Sequence, residues 1–188
     1  MDRTNFRLLQ FANVVAVILA VVWNSLANIL PLNNVSTRLV SDSYPNLFTP
    51  PGYVFSIWGV IYTLAIIFML YQVRLKEQSA AYLGKIGWLY LASAVINVVW
   101  LGFFHYSYGV TPLYLASTGI LIVLLVDLLL IYVKLGIGGE TVPRGLKLAV
   151  HFPMSIYLGW ISVASIAAIA AGISCGRPGS GRRHRSWW

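Results

Sequence analysis

Long apolar runs alternate with short polar clusters along this chain. Five runs stand out, at about 8–30, 52–71, 86–106, 111–133 and 148–173. Each reaches the roughly 20 residues that a helix needs to cross about 30 Å of hydrocarbon. Apolar and polar residues do not alternate with period two, which argues against a membrane barrel. An open sheet would leave its edges unpaired in lipid. The stretch TPPGYVFSIWGVIY, Thr49 to Tyr62, is typical: aromatic, uncharged and without a polar helical face. Its Pro50-Pro51 pair suits a helix entry, where proline forfeits no hydrogen bond. The pattern predicts an all-α membrane protein, a five-transmembrane-helix bundle forming one domain over 1–174.

Composition identifies the medium. The chain is 59% hydrophobic and 10% charged, against about 25% charged in soluble domains. A single domain of 188 residues has more surface than so few charges can cover. The net charge of +8 does not indicate nucleic acid, because the cations lie between apolar runs or in the tail rather than on one amphipathic face. Arg3, Arg7, Arg74, Lys76, Lys85, Lys134, Arg144 and Lys147 fall on one side of a five-helix topology, and only Arg38 falls on the other before the tail. The positive-inside rule then puts the N-terminus in the cytoplasm. Ser25-Leu26-Ala27 loosely resembles a signal cleavage site, but the apolar run continues to Leu30 and is read as a retained helix. The lone Cys175 excludes an internal disulfide framework.

The tail over 175–188, CGRPGSGRRHRSWW, contradicts the charge asymmetry. Either it is a disordered basic tether for anionic lipid, or a truncation or frame change ended a chain of further helices. Its abrupt change of composition favours the second.

Three runs carry a stripe with a large aromatic at its middle: Phe55, Trp58 and Tyr62; Asn97, Trp100 and Phe104; Pro153, Tyr157, Trp160 and Ala164. Such spacing puts each set on one helical face. The stripes serve either packing or an aromatic pocket for a planar apolar ligand, and spacing alone favours packing. Ala164, Ser165, Ala167, Ala168, Ala170 and Ala171 thin one end of the last run, which suits close approach of another helix or another copy of the chain.

Asp127 lies well inside the fourth run. An acid there costs about 2.5–3.5 kcal/mol to insert unless it finds a partner or a proton. It is either a neutral acid bonded to a neighbouring helix, the reading favoured here, or a proton site. Asn24 and Asn28 point to interhelical hydrogen bonds. His105 and His151 sit near run ends, where interfacial histidines are common, and haem ligation by either is the weaker reading. Leu130 to Lys134, LIYVK, satisfies a cholesterol-contact pattern that chance produces readily. No catalytic constellation, metal-ligand cluster or phosphate-binding glycine loop is present, so the expectation is no enzyme, no metal and no required cofactor.

The double proline followed by YVF, Trp58 and Tyr62, the NVVW of Asn97 to Trp100, and Trp160 followed four residues later by Ala164 resemble the TspO/MBR family. That family is also called the tryptophan-rich sensory proteins, or the translocator protein and peripheral benzodiazepine receptor. The chain departs from the pattern at Tyr53, where the family usually has Trp, in the shorter Phe-to-Trp spacing of the second helix, and in the distance from Pro153 to Trp160, as a divergent branch would. The resemblance implies a TspO/MBR-like five-helix bundle, often a homodimer, that binds a porphyrin, haem-type tetrapyrrole or sterol-like molecule for transport or sensing. It carries a remote possibility of slow light-dependent porphyrin breakdown. By motif match it places Trp58, Tyr62, Asn97, Trp100, Trp160 and Ala164 at the ligand. Two other functions stand beside this: a proton-coupled small-solute transporter using Asp127, and a structural membrane partner. The expected location is an integral membrane position, the cell membrane in a prokaryote.

Overall fold

The structure, a computed structural model, describes residues 3–30, 32–44, 46, 48, 51–74 and 81–175. Helices α1 (Arg3–Ile29), α3 (Ile57–Arg74), α5 (Leu89–Tyr106), α6 (Thr111–Lys134) and α8 (Phe152–Cys175) form the bundle. The short α2 (Thr37–Asp42), α4 (Ala81–Ile86) and single-turn α7 (Arg144–Leu146) lie in the connections. Among the described residues, five segments are long and apolar enough to cross a membrane: Arg3–Ala27, Gly52–Arg74, Leu89–Tyr106, Thr111–Lys134 and Arg144–Ser174. The protein is thus an all-α, five-helix membrane bundle.

Local chemistry sets the ends. Pro51 caps a 3₁₀ turn over Gly52–Ser56, and its carbonyl accepts from the Val54 N–H at 2.9 Å. Pro50 lies outside the described residues, as do Lys76 and the tail from 176 onward. The third span starts at Leu89 rather than 86, because Gly87 adopts φ +56° and ends α4. A left-handed residue at that place is the usual helix stop, and glycine takes it without a Cβ penalty. The last span starts earlier than 148, since α7 and a wide π turn over Lys147–His151 precede α8. The Phe152 N–H reaches back five residues to the Lys147 carbonyl. Pro153 has no N–H and its ring crowds the carbonyl four residues earlier, and a widened turn absorbs that conflict.

α5 is the central helix. It packs on α1 and α6, α6 packs in turn on α8, and α3 closes the bundle between α1 and α8. Leu101, Leu121, Leu124, Leu128, Ile131 and Ile161 are buried at the centre. Outward faces carry Phe11 (67% exposed), Val133 (73%) and Ile173 (60%). In water such continuous apolar surface marks an interaction site or an aggregation hazard; in hydrocarbon it costs nothing.

Polar groups staple the helices from within. Asn24 donates to the Asn97 side chain at 2.9 Å, joining α1 to α5, as the sequence predicts; the side chain of Asn28 lies outside the described set. Gln10 donates to the Gln72 carbonyl at 2.7 Å, and Asn13 to the Gln72 side chain at 3.1 Å, joining α1 to α3. At the basic end Lys85 makes a two-pronged contact with Glu140, at 2.7 and 2.9 Å.

The thin end of α8 is used within the chain. Ser165 and Ala171 are buried, and a Cβ on Gly172 would come within 3.1 Å of Leu115 on α6. Close approach of backbones is the means by which membrane helices associate, and here the partner helix is α6.

Candidate functional site

The three aromatic stripes converge. Trp58 on α3 stacks on Trp100 of α5, with centroids 6.2 Å apart and planes at 28°. It meets Trp160 of α8 edge to face, at 6.2 Å and 82°. Tyr62 stacks on its other side at 5.6 Å, and Tyr157 lies at 6.4 Å. The series continues outward through Phe104, 5.3 Å from Trp100, then Tyr114, then Tyr44, which stacks on Tyr114 at 4.0 Å. Offset and edge-on geometries of this kind satisfy the ring quadrupoles.

Two clefts flank Trp58. The first offers about 60 Å³ of water-accessible space. Its walls include Phe55, Trp58, Trp100, Trp160, Ala164 and Ala168, and α2 roofs it with Thr37 and Ser41. The second, with about 40 Å³ of such space, is walled by Trp58, Tyr62, Tyr90, Asn97, Pro153 and Tyr157. Each stripe therefore crosses from one cleft to the other along its helix, and Trp58 belongs to both. The motif-matched residues divide accordingly: Trp100, Trp160 and Ala164 on the first, Tyr62 and Asn97 on the second, and Trp58 between them.

Polar side chains stand in both walls, among them Thr37, Ser41, Asn46 and Ser117 in the first cleft and Ser93 and Asn97 in the second. The Trp160 indole N–H is buried without a hydrogen-bond partner. The Asn97 amide nitrogen neighbours the Tyr157 hydroxyl but is not in hydrogen-bonding geometry with it. Leaving such a donor unpaired costs about 1–3 kcal/mol.

The roof is tied down by a residue that sequence reasoning set at an interface. His105 is fully buried. Its Nε2 lies 3.1 Å from the Thr37 hydroxyl and its Nδ1 3.3 Å from the Leu32 carbonyl. The carbonyl can only accept, so Nδ1 carries the proton and Nε2 accepts from Thr37. Both ring nitrogens of His105 are thereby engaged. Tyr44 donates to the Ser107 carbonyl and adds a second tie. The feature that sequence alone cannot show is the pairing of a histidine at the end of α5 with a threonine 68 residues earlier. His151 is likewise buried within the bundle.

Asp127 lines neither cleft. It is 7% exposed, on the inward face of α6, and its Oδ2 has no hydrogen-bond partner. The neighbouring-helix donor expected from the sequence is therefore not supplied to that oxygen, although Tyr157 is within electrostatic reach.

A family model described as TSPO-like protein matches residues 10–187 of the chain. No curated protein and no solved structure matches it.

Proposed function

The chain belongs to the TSPO-like protein family, and from that premise we propose that this integral membrane protein binds a planar apolar ligand at the clefts around Trp58, for transport or sensing. The observation that carries the reading is the convergence of Trp58, Trp100 and Trp160 from three helices on a slot beside an unpaired indole N–H. Ring faces favour flat apolar partners, and a few donors fix their orientation. The water-accessible space in the clefts is about 60 and 40 Å³, below the usual 300–1,000 Å³ of ligand pockets, so a ligand enters only as the rings part. A tetrapyrrole is one such flat ligand, and it enters only when the Trp58 ring turns and the two clefts act as one. The engaged His105 argues that no histidine of the roof ligates a tetrapyrrole metal. No catalytic step belongs to this reading. Charge asymmetry supports a cytoplasmic N-terminus.

The test is a titration of purified protein in detergent with a porphyrin, following quenching of tryptophan emission. Quenching that saturates, and weakens on Trp160→Leu and Trp100→Leu, supports the reading. Quenching that is linear and indifferent to both removes it.

Asp127 favours a second reading, proton-coupled movement of a small solute. Its buried, incompletely bonded carboxyl is the observation for it, since intramembrane acids often mark proton pathways. Uptake into vesicles driven by a pH gradient and abolished by Asp127→Asn would establish it.

A further inference from the structure

The second cleft holds a donor that no protein group satisfies. Asn97 is 1% exposed, and its amide nitrogen has no hydrogen-bond partner. The orientation of that amide is fixed by its neighbour. Asn24 Nδ2 donates to the Ala20 carbonyl at 2.8 Å and to Asn97 Oδ1 at 2.9 Å. A backbone carbonyl only accepts, so Asn24 presents its nitrogen there, and Asn97 must meet it with oxygen. The Asn97 NH₂ group is left for the cleft that Asn97 lines. Tyr157 lines the same cleft from α8, with its hydroxyl near that amide but outside bonding geometry. Ser93 gives its proton to the Tyr90 carbonyl at 2.7 Å, so its oxygen offers only lone pairs. Tyr62 and Tyr90 add two phenols, which either give or take a hydrogen bond. Donor, acceptor and two-way groups thus surround one void. Its water-accessible space is about 40 Å³, and one water needs roughly 10–15 Å³ by that measure and about two to four polar partners. An apolar filling would leave the Asn97 amide unsatisfied, whereas a bridging water serves nearly as well as a direct partner.

We propose that the second cleft is a buried hydration site, where about three waters bridge the Asn97 amide on α5 to the phenols of Tyr62 on α3 and Tyr157 on α8. The bridge extends the Asn24–Asn97 bond, so one hydrogen-bonded line runs from α1 through α5 to α3 and α8. Tyr62 and Ala65 follow Trp58 toward Arg74, and Tyr90 and Pro153 stand near the starts of α5 and α8. The water therefore lies on the basic-loop side of Trp58, away from the roof. It holds the helices together at a level where lipid supplies no hydrogen bonds, and it does so whether or not a flat ligand occupies the first cleft.

X-ray hydroxyl-radical labelling reads this site, because radicals born from bound water oxidise the side chains beside it. Tyr90 and Tyr82 make a matched pair: they are 7% and 4% exposed, and of the two only Tyr90 lines either cleft. In the native chain in detergent, Tyr90 should label several-fold faster than Tyr82. Met154, 4% exposed on the same cleft, should label readily as well. Ala65→Leu puts a larger side chain into the void and should bring Tyr90 down to the Tyr82 rate, while Tyr114 in the first cleft keeps its own. Tyr157→Phe keeps the ring, removes one end of the bridge and should lower Tyr90 labelling without touching Tyr114. Equal rates for Tyr90 and Tyr82 in the native chain overturn the proposal, and so does a Tyr90 rate that neither variant changes. Where Ala65→Leu alters Tyr114 too, the packing has moved and Tyr157→Phe alone decides. Porphyrin quenching plays no part in this readout, so the water site and the ligand reading fail independently.

Discussion

Trp58 and Trp160 meet edge to face, with centroids 6.2 Å apart and planes at 82°. One ring belongs to both clefts and the other to the first alone, so the contact between them is the seam along which the interior divides. A ligand larger than either cleft must displace one of these rings.

Replacing Trp58 by Ala removes the partition and the contacts with four ring partners at once. Trp58 is half-buried, so its loss costs less than the about 3–5 kcal/mol of a fully buried Trp. We expect a clear fall in thermal midpoint in detergent, together with a porphyrin affinity lower by at least tenfold. Trp58→Phe, which keeps a ring, should restore most of the stability and only part of the binding. Unchanged binding in the Ala variant would mean that the ligand does not touch the seam.

Asn24 and Asn97 should behave as a pair. Interhelical hydrogen bonds in membranes are worth about 0.6–1.7 kcal/mol. A double-mutant cycle of Asn24→Ala and Asn97→Ala, read by unfolding in mixed micelles, should give a coupling in that range. A coupling near zero would show that the 2.9 Å contact contributes no net stability.

The roof should loosen when its histidine tie is cut. His105→Phe leaves the Thr37 hydroxyl and Leu32 carbonyl without their partner, at about 1–3 kcal/mol each for a buried group. Proteolysis between α1 and α3 should become several-fold faster, while Thr37→Val gives a smaller effect. Equal cleavage rates in all three proteins would show that other contacts hold α2.

Asp127 lies outside both clefts, so Asp127→Asn should leave porphyrin affinity and its pH profile unchanged. A shifted profile would favour the proton-coupled reading. The closely packed Gly172 offers a control on the fold: Gly172→Val drives into Leu115 and should cost about 1–3 kcal/mol by overpacking, seen as a lower unfolding midpoint.

Much of the fold was legible because lipid imposes a simple rule. A run must be long, apolar and helical to cross, and Thr111–Lys134 is all three on its face. The ends were less legible where one residue's backbone decides: Gly87 breaks the third run by turning left-handed, and Pro153 widens the turn before α8. At the site, helical spacing put Phe55, Trp58 and Tyr62 on one face, yet spacing cannot tell a packing face from a cavity wall. The structure shows both uses in the same stripes, with rings stacking on one another and lining clefts.

By itself the sequence determined the medium, the number of spanning helices and which face of each carries its aromatic residues, because these follow from chain-local periodicity and the cost of exposing polar backbone to hydrocarbon. Only the tertiary structure decided that Trp58 divides the interior, that His105 holds the roof through Thr37, and that Arg38 lies over Gly52. Those relations join residues far apart in the chain, and packing between helices, which no local pattern encodes, sets their distances.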